Sequence, residues 1–278
     1  MKKNTFGSIF LILLFSFFSI NVYANPTLKT SKALRFGIAP FMTPMALIKR
    51  MSPLRDYLRE QLNMPVNIVT ARTGNEFNKR TLSGQYDFIL TNPFFAIKAL
   101  DSGKFNLIAI HQKKISGLFI VPENRQINSL EDLAGKKLGA PDKAGLLGKV
   151  VTPLIKNSGI DPNNLPEIIH NANHNAGISS LRVGKVDAAL IVNFMESHIK
   201  ESGFKIRTID KTEPLPGMAV LVDKKSVNIE TKDAVQQAIF KLSKTDKGRE
   251  ILKKIKMPAF VEGTIDELEP VRKYLSKQ

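Results

Sequence analysis

Short runs of β-branched and aromatic residues alternate along the chain with longer stretches whose apolar residues recur at helical spacing. The strand-like runs are Leu34–Ala39, Val66–Thr70, Asp87–Thr91, Asn106–Ile110, Gly117–Val121, Lys137–Ala140, Glu167–His170, Asp187–Val192, Lys205–Ile209 and Met218–Val222. Between them, Met45–Leu62, Glu76–Ser83, Phe94–Asp101, Leu146–Ser158, His174–Val183 and Phe194–Ser202 read as helices. Strand and helix in alternation predict an α/β fold of parallel sheets with helices on both faces. The tail differs: Thr231–Leu242, Asp246–Ile255 and Ile265–Leu275 are helical patterns with no strand between them. They carry too little apolar surface for a core of their own and should pack on a lobe already formed.

An echo at an offset near 100 residues runs through this pattern. Gly37-Ile38-Ala39-Pro40 returns as Gly139-Ala140-Pro141, Ser52-Pro53-Leu54 as Thr152-Pro153-Leu154, and Gly84-Gln85-Tyr86-Asp87 as Gly184-Lys185-Val186-Asp187. Asn92-Pro93-Phe94 returns as Asn193-Phe194. The kept order predicts two similar lobes: residues 25–113 with 214–278, and residues 114–213. Crossing segments near His111–Ser116 and Asp210–Pro216 would then form a hinge.

Charge and composition narrow the functions. Lys and Arg total 41 against 25 Asp and Glu, a formal charge of +16 in 278 residues. With no Cys, a disulfide framework, a thiol nucleophile and a Cys-held metal or cluster are excluded. Lys2 and Lys3, the apolar run Phe6–Ile20 and the small-residue site Val22-Tyr23-Ala24 predict a cleavable signal peptide over residues 1–24. The run falls short of the roughly 20 residues that span a bilayer. An exported, periplasmic protein meets little nucleic acid, so its basic balance suits an anionic ligand, an anionic membrane surface or simply a Lys-rich solvated face.

Ligands of open α/β sheets bind beyond the carboxyl ends of strands, where helix N-termini offer unpaired N–H groups. That rule selects the loops Pro40–Met45, Thr91–Phe94, Pro141–Gly148, and Asn171–Asn175 with Asn193–Phe194. The candidate ligand contacts there are Phe41, Thr43, Thr91, Asn92, Phe94, Asp142, Lys143, Ala144, Gly145, Asn173, His174 and Asn193. The Pro141–Gly148 loop reads equally as an anion cradle served by Lys143 or as a plain strand–helix turn. The Asn-rich string reads as a ligand wall or as helix capping. His170 and His174 stand four apart, but His170 ends a strand and no Glu lies between them, so no metal site is expected. No Gly-x-Ser-x-Gly nucleophile elbow is present and Ser179-Ser180 falls inside a helix, which leaves an enzyme, such as a secreted hydrolase, without a constellation.

Taken in order, Gly37–Pro40, Pro53–Leu58, Gly84–Phe88 with Asn92-Pro93, Ser129–Lys137, His174-Asn175-Ala176 and Gly184–Ala189 resemble the phosphonate-type substrate-binding proteins of ABC transporters. The resemblance runs from about Leu34 to Val222. It implies a two-lobed type II periplasmic binding fold that closes on a small solute and delivers it to a membrane permease, working as a monomer without cofactor. It also implies ligand contacts from an aromatic after the Asn-Pro turn, matched loosely by Phe94 or Phe95, and from His174. Asn175 stands where that family has Asp, and Asp142-Lys143-Ala144-Gly145 replaces its Ser/Thr-rich loop, which points to an anionic or zwitterionic solute other than phosphonate. A receptor docking on a membrane histidine kinase or chemoreceptor is the alternative. With an ordinary pKa near 6.5, His174 would gain charge and tighten an anion as pH falls from about 8 to 6.

Overall fold

The computed structural model describes residues 32–274, so the expected leader lies outside the described residues. The chain opens as a βαβαβ unit: β1 (Leu34–Ile38), α1 (Pro44–Leu62), β2 (Val66–Val69), α2 (Gly74–Leu82) and β3 (Phe88–Thr91). Each helix begins where the sequence supplies a start. Pro44 stands at the first turn of α1, where its missing N–H costs nothing, and the Thr73 side chain accepts the Glu76 N–H to cap α2. Asn63 ends α1 in the left-handed region with φ of 48°. Then come α3 (Pro93–Asp101) and β4 (Phe105–His111).

After residues 112–116 the pattern starts again. The second lobe holds β5 (Gly117–Pro122), β6 (Lys137–Ala140), α4 (Leu146–Lys156), β7 (Glu167–His170), α5 (His174–Arg182), β8 (Ala188–Val192), α6 (Glu196–Glu201) and β9 (Ile206–Lys211). The chain then returns through residues 212–218 to β10 (Ala219–Asp223), followed by α7 (Ile229–Lys244), α8 (Asp246–Ile255), β11 (Phe260–Val261) and a 3-10 segment, Asp266–Tyr274. One sheet has the order β11-β4-β10-β3-β1-β2 and the other β7-β6-β8-β5-β9.

These sheets are mixed, not parallel as the alternation predicted. β10 runs antiparallel between β3 and β4, and β5 antiparallel between β8 and β9. Each reversed strand is the one that enters its lobe straight from a crossing segment, so it arrives from the end where the neighbouring strands stop. The tail also holds a strand: Phe260 and Val261 pair with His111 and Ile110. Sheet pairing continues through His111 and Lys211. The segments between the strands are therefore 112–116 and 212–218; their ends still bond to the sheets, Thr212 N–H to Gly117 O at 2.9 Å and His111 N–H to Met218 O at 2.7 Å, and in their middle Ile115 and Leu215 bond to each other in both directions at 2.9 and 2.8 Å.

The echo has a structural cause. In both lobes the helix before an inner strand, β3 in lobe one and β8 in lobe two, is followed by a glycine in the left-handed region, Gly84 at φ 72° and Gly184 at φ 73°. An Asp follows three residues on and ties that strand to its parallel neighbour, β1 in lobe one and β6 in lobe two. Asp87 accepts the Arg35 N–H at 2.7 Å, and Asp187 accepts the Lys137 N–H at 2.9 Å. The lobe-one copy adds an ion pair, Arg35 Nη2 to Asp87 Oδ1 at 2.7 Å, with the Asp side chain only 4% exposed. The Arg35 hydrogen bonds and charge hold the Asp87 carboxyl below the usual range, against the opposing effect of its burial.

Candidate functional site

The carboxyl ends of β1, β2 and β3 in lobe one and of β6, β7 and β8 in lobe two face one another across a cleft of about 620 Å³, counting the solvent at its mouth. The N-termini of α2, α3, α4 and α5 reach its wall through Gly74, Asn92, Gly145 and Asn173. Two of these ends are capped by Asn: Asn92 Oδ1 accepts the Phe95 N–H and Asn173 Oδ1 accepts the Ala176 N–H, both at 3.0 Å. The oxygens are thereby committed to their own helices, and the amide nitrogens remain as donors. α4 begins at Gly145 without a side-chain cap. Most of the remaining wall is apolar: Phe41, Phe95, Ile115, Leu146, Phe194 and Met218 line it.

Of the expected contacts, Phe41, Asn92, Asp142, Gly145, Asn173 and His174 line this cleft. The other six do not. Thr43 is exposed, because Phe41 and Met42 turn inward just before α1 begins. Thr91 is buried within its sheet opposite Ala219. Phe94 points into the core with the Lys98 ammonium 4.8 Å from its ring, so Phe95, one helical step on, takes the cleft position. In the Pro141–Gly148 loop, Gly145 N–H bonds Asp142 O at 2.8 Å, closing a turn whose Ala144 N–H is held by Asp142 Oδ1 at 3.0 Å. That turn leaves Lys143 exposed and Ala144 outside the cleft wall. Asn193 accepts the Phe194 N–H and faces a separate groove with Lys113, Lys114 and Lys256, while Phe194 swings into the cleft.

Besides the packing of α4 against α3 and the Asp266–Tyr274 segment, side chains bridge the lobes at three places among the described residues. The rings of Phe41 and Phe194 meet edge to face, 5.4 Å between centroids at 90°. Glu201 pairs with Lys256. Asp142 Oδ2 accepts the N–H groups of Gly74 and, at 3.3 Å, of Asn75.

His174 opens α5 and its Nδ1 is buried without a partner. Burial pushes its pKa down to about 4, so the ring is neutral near pH 7 and the expected gain of affinity between pH 8 and 6 has no titrating group behind it. His170, by contrast, donates from Nδ1 to the Pro141 carbonyl at 2.9 Å and stays out of the cleft wall. Phe95, the second of the two aromatics that the resemblance offered, and Phe194, absent from the candidate contacts, sit one position after Phe94 and Asn193, a difference set by the phase of the first helical turn. Gly74, which takes in α2 the place that His174 takes in α5, was also unforeseen, as were Ile115, Val192 and Met218, which lie outside the selected loops.

A family model described as the periplasmic substrate-binding protein of phosphonate ABC transporters matches residues 36–268. No curated protein matches the chain. Among solved structures, the binding-protein component of an ABC phosphonate transporter from Pseudomonas aeruginosa is 18% identical, with TM-score 0.76 over 87% of this chain and 85% of that one. PhnD1 of Prochlorococcus marinus in complex with methylphosphonate is 15% identical, with the same TM-score over 87% and 97%. An ancestral arginine-binding protein bound to arginine shares the fold at TM-score 0.60 and 18% identity, over 81% and 98%. The two sheets, their two crossings and the match over residues 36–268 agree, and the chain belongs to the family of periplasmic phosphonate-type substrate-binding proteins of ABC transporters.

Proposed function

We propose that this solute-binding protein captures its ligand between lobes that close about residues 112–116 and 212–218, and that it presents the closed complex to its permease. The observation that carries this reading is the convergence of four helix N-termini on one cleft between lobes whose chain connections are two short paired segments. Few residues linking separate cores make a hinge. The lobe boundaries follow the same segments, near residues 111–117 and 211–219.

In the cleft, Phe41, Phe95 and Phe194 receive the apolar body of the solute, while Asn92, Asn173 and His174 meet its polar end. A mostly apolar concave wall with a few convergent polar groups is the usual build of a small-molecule site. Lys143 takes no part, since its side chain lies outside the wall. The test is mass spectrometry of small molecules released by denaturing protein purified from its native periplasm. A stoichiometric solute absent from a Phe194→Ala preparation is expected; equal release from both proteins overturns these residue roles.

A further inference from the structure

The bond from Asp142 across the cleft is the feature that the solute-binding reading does not use. Asp142 belongs to the loop before α4 in lobe two, and Gly74 and Asn75 to the first turn of α2 in lobe one. Its Oδ2 accepts both of those backbone N–H groups and its Oδ1 accepts that of Ala144. A full negative charge thus sits at the positive end of a helix in the opposite lobe, where an anionic group of a bound solute would otherwise be favoured.

The surroundings are fitted to this carboxylate. A Cβ at position 74 would lie 3.1 Å from Asp142 Oδ2 and 2.9 Å from Phe95 Cζ, so glycine is what allows the close approach. A Cβ at position 148 would lie 2.1 Å from Asp142 O, so Gly148 lets the loop fold over the start of α4. Among the described residues, Asp142 is also the one charged side chain of the cleft wall, and no Lys or Arg lines it. A second anion would meet this charge without a compensating cation. In the same wall, His174 presents a buried Nδ1 that has no partner among the described residues and can bond an uncharged polar group.

Resting on the solute-binding reading, we infer that Asp142 is a specificity-determining residue whose carboxylate occupies the lobe-one amide end of the cleft and excludes phosphonates and other anions. The solute class it selects has an apolar body and an uncharged polar end.

Calorimetric titration of methylphosphonate and inorganic phosphate into the mature protein, Asp142→Asn and Asp142→Ala tests this. Removing the charge is expected to tighten anion binding by about tenfold or more, the scale of a charged hydrogen bond. Asp142→Asn keeps the shape and an acceptor oxygen, which guards against a folding defect in Asp142→Ala. Anion affinity in Asp142→Asn equal to or weaker than in the parent, including no detectable binding by either, overturns the inference. Native solute retained by the parent alongside that result refutes only the role of Asp142. Absence of any retained solute and of closure in both proteins refutes the solute-binding reading itself.

Discussion

The two lobes are variations on one βαβαβ plan, and they differ most where they face each other. In lobe one, α2 starts with Thr73 as cap and Gly74 as first residue; in lobe two, α5 starts with Asn173 and His174. At this pair of helices lobe one therefore presents bare backbone amides to the cleft and lobe two presents a side chain. The Asp142 carboxylate, from lobe two, fills what lobe one leaves open. Away from the cleft the strand ties differ too: Asp87 carries a buried ion pair, whereas its counterpart Asp187 holds a backbone N–H alone. A duplicated plan keeps the contacts that build the sheet and diverges at the ends of the helices, where ligand chemistry is decided.

Titration should divide the lobes most strongly. Each has a histidine whose burial lowers its pKa strongly: His111, buried at the end of β4, is pushed down to about 3, and half-buried His174 in the cleft wall, its Nδ1 enclosed, is pushed down to about 4. Below the unfolded-state pKa near 6.5, the unfolded chain takes up a proton that the folded one refuses. Stability contributed by the neutral rings is therefore present above that pH and lost as it falls. Each histidine should cost about 1.4 kcal/mol per pH unit, through the window from about 6.5 down to its folded pKa. Urea titrations at a series of pH values should show this slope, and His174→Gln should flatten it; a slope unchanged in that variant would mean that His174 is not buried neutral.

Next in size is the strand tie. Asp87→Ala leaves Arg35 partly buried and unpaired and should cost about 3 kcal/mol, the low end for breaking a buried pair. Asp187→Ala removes one exposed backbone bond and should cost about 1 kcal/mol. Equal losses in thermal melts of the two variants would show that the ion pair adds nothing to the shared backbone bond.

Much of the plan was legible as periodicity, because β-branched runs and amphipathic stretches report burial directly. Asp246–Ile255 forms a helix with the bounds its pattern predicts, and the echo marks the duplicated unit. Strand direction was not legible, since a buried strand reads the same either way, and so β10 and β5 came as reversals. β11 escaped because two residues carry no period. At the site, the rule of strand ends found the right loops but not the phase within them. Phe94 and Phe95 are both apolar, and only the turn set by the Asn92 cap sends the second to the cleft. Asp142 and Lys143 were likewise a local pair whose inward and outward members are decided by the turn closed at Gly145.

Small-angle scattering tests hinged capture most directly. Protein still holding its native solute should have a smaller radius of gyration than the same protein refolded without it, with the difference restored when the released solute is added back. An identical radius in both states, with stoichiometric solute confirmed in the first, would contradict closure of two lobes about residues 112–116 and 212–218.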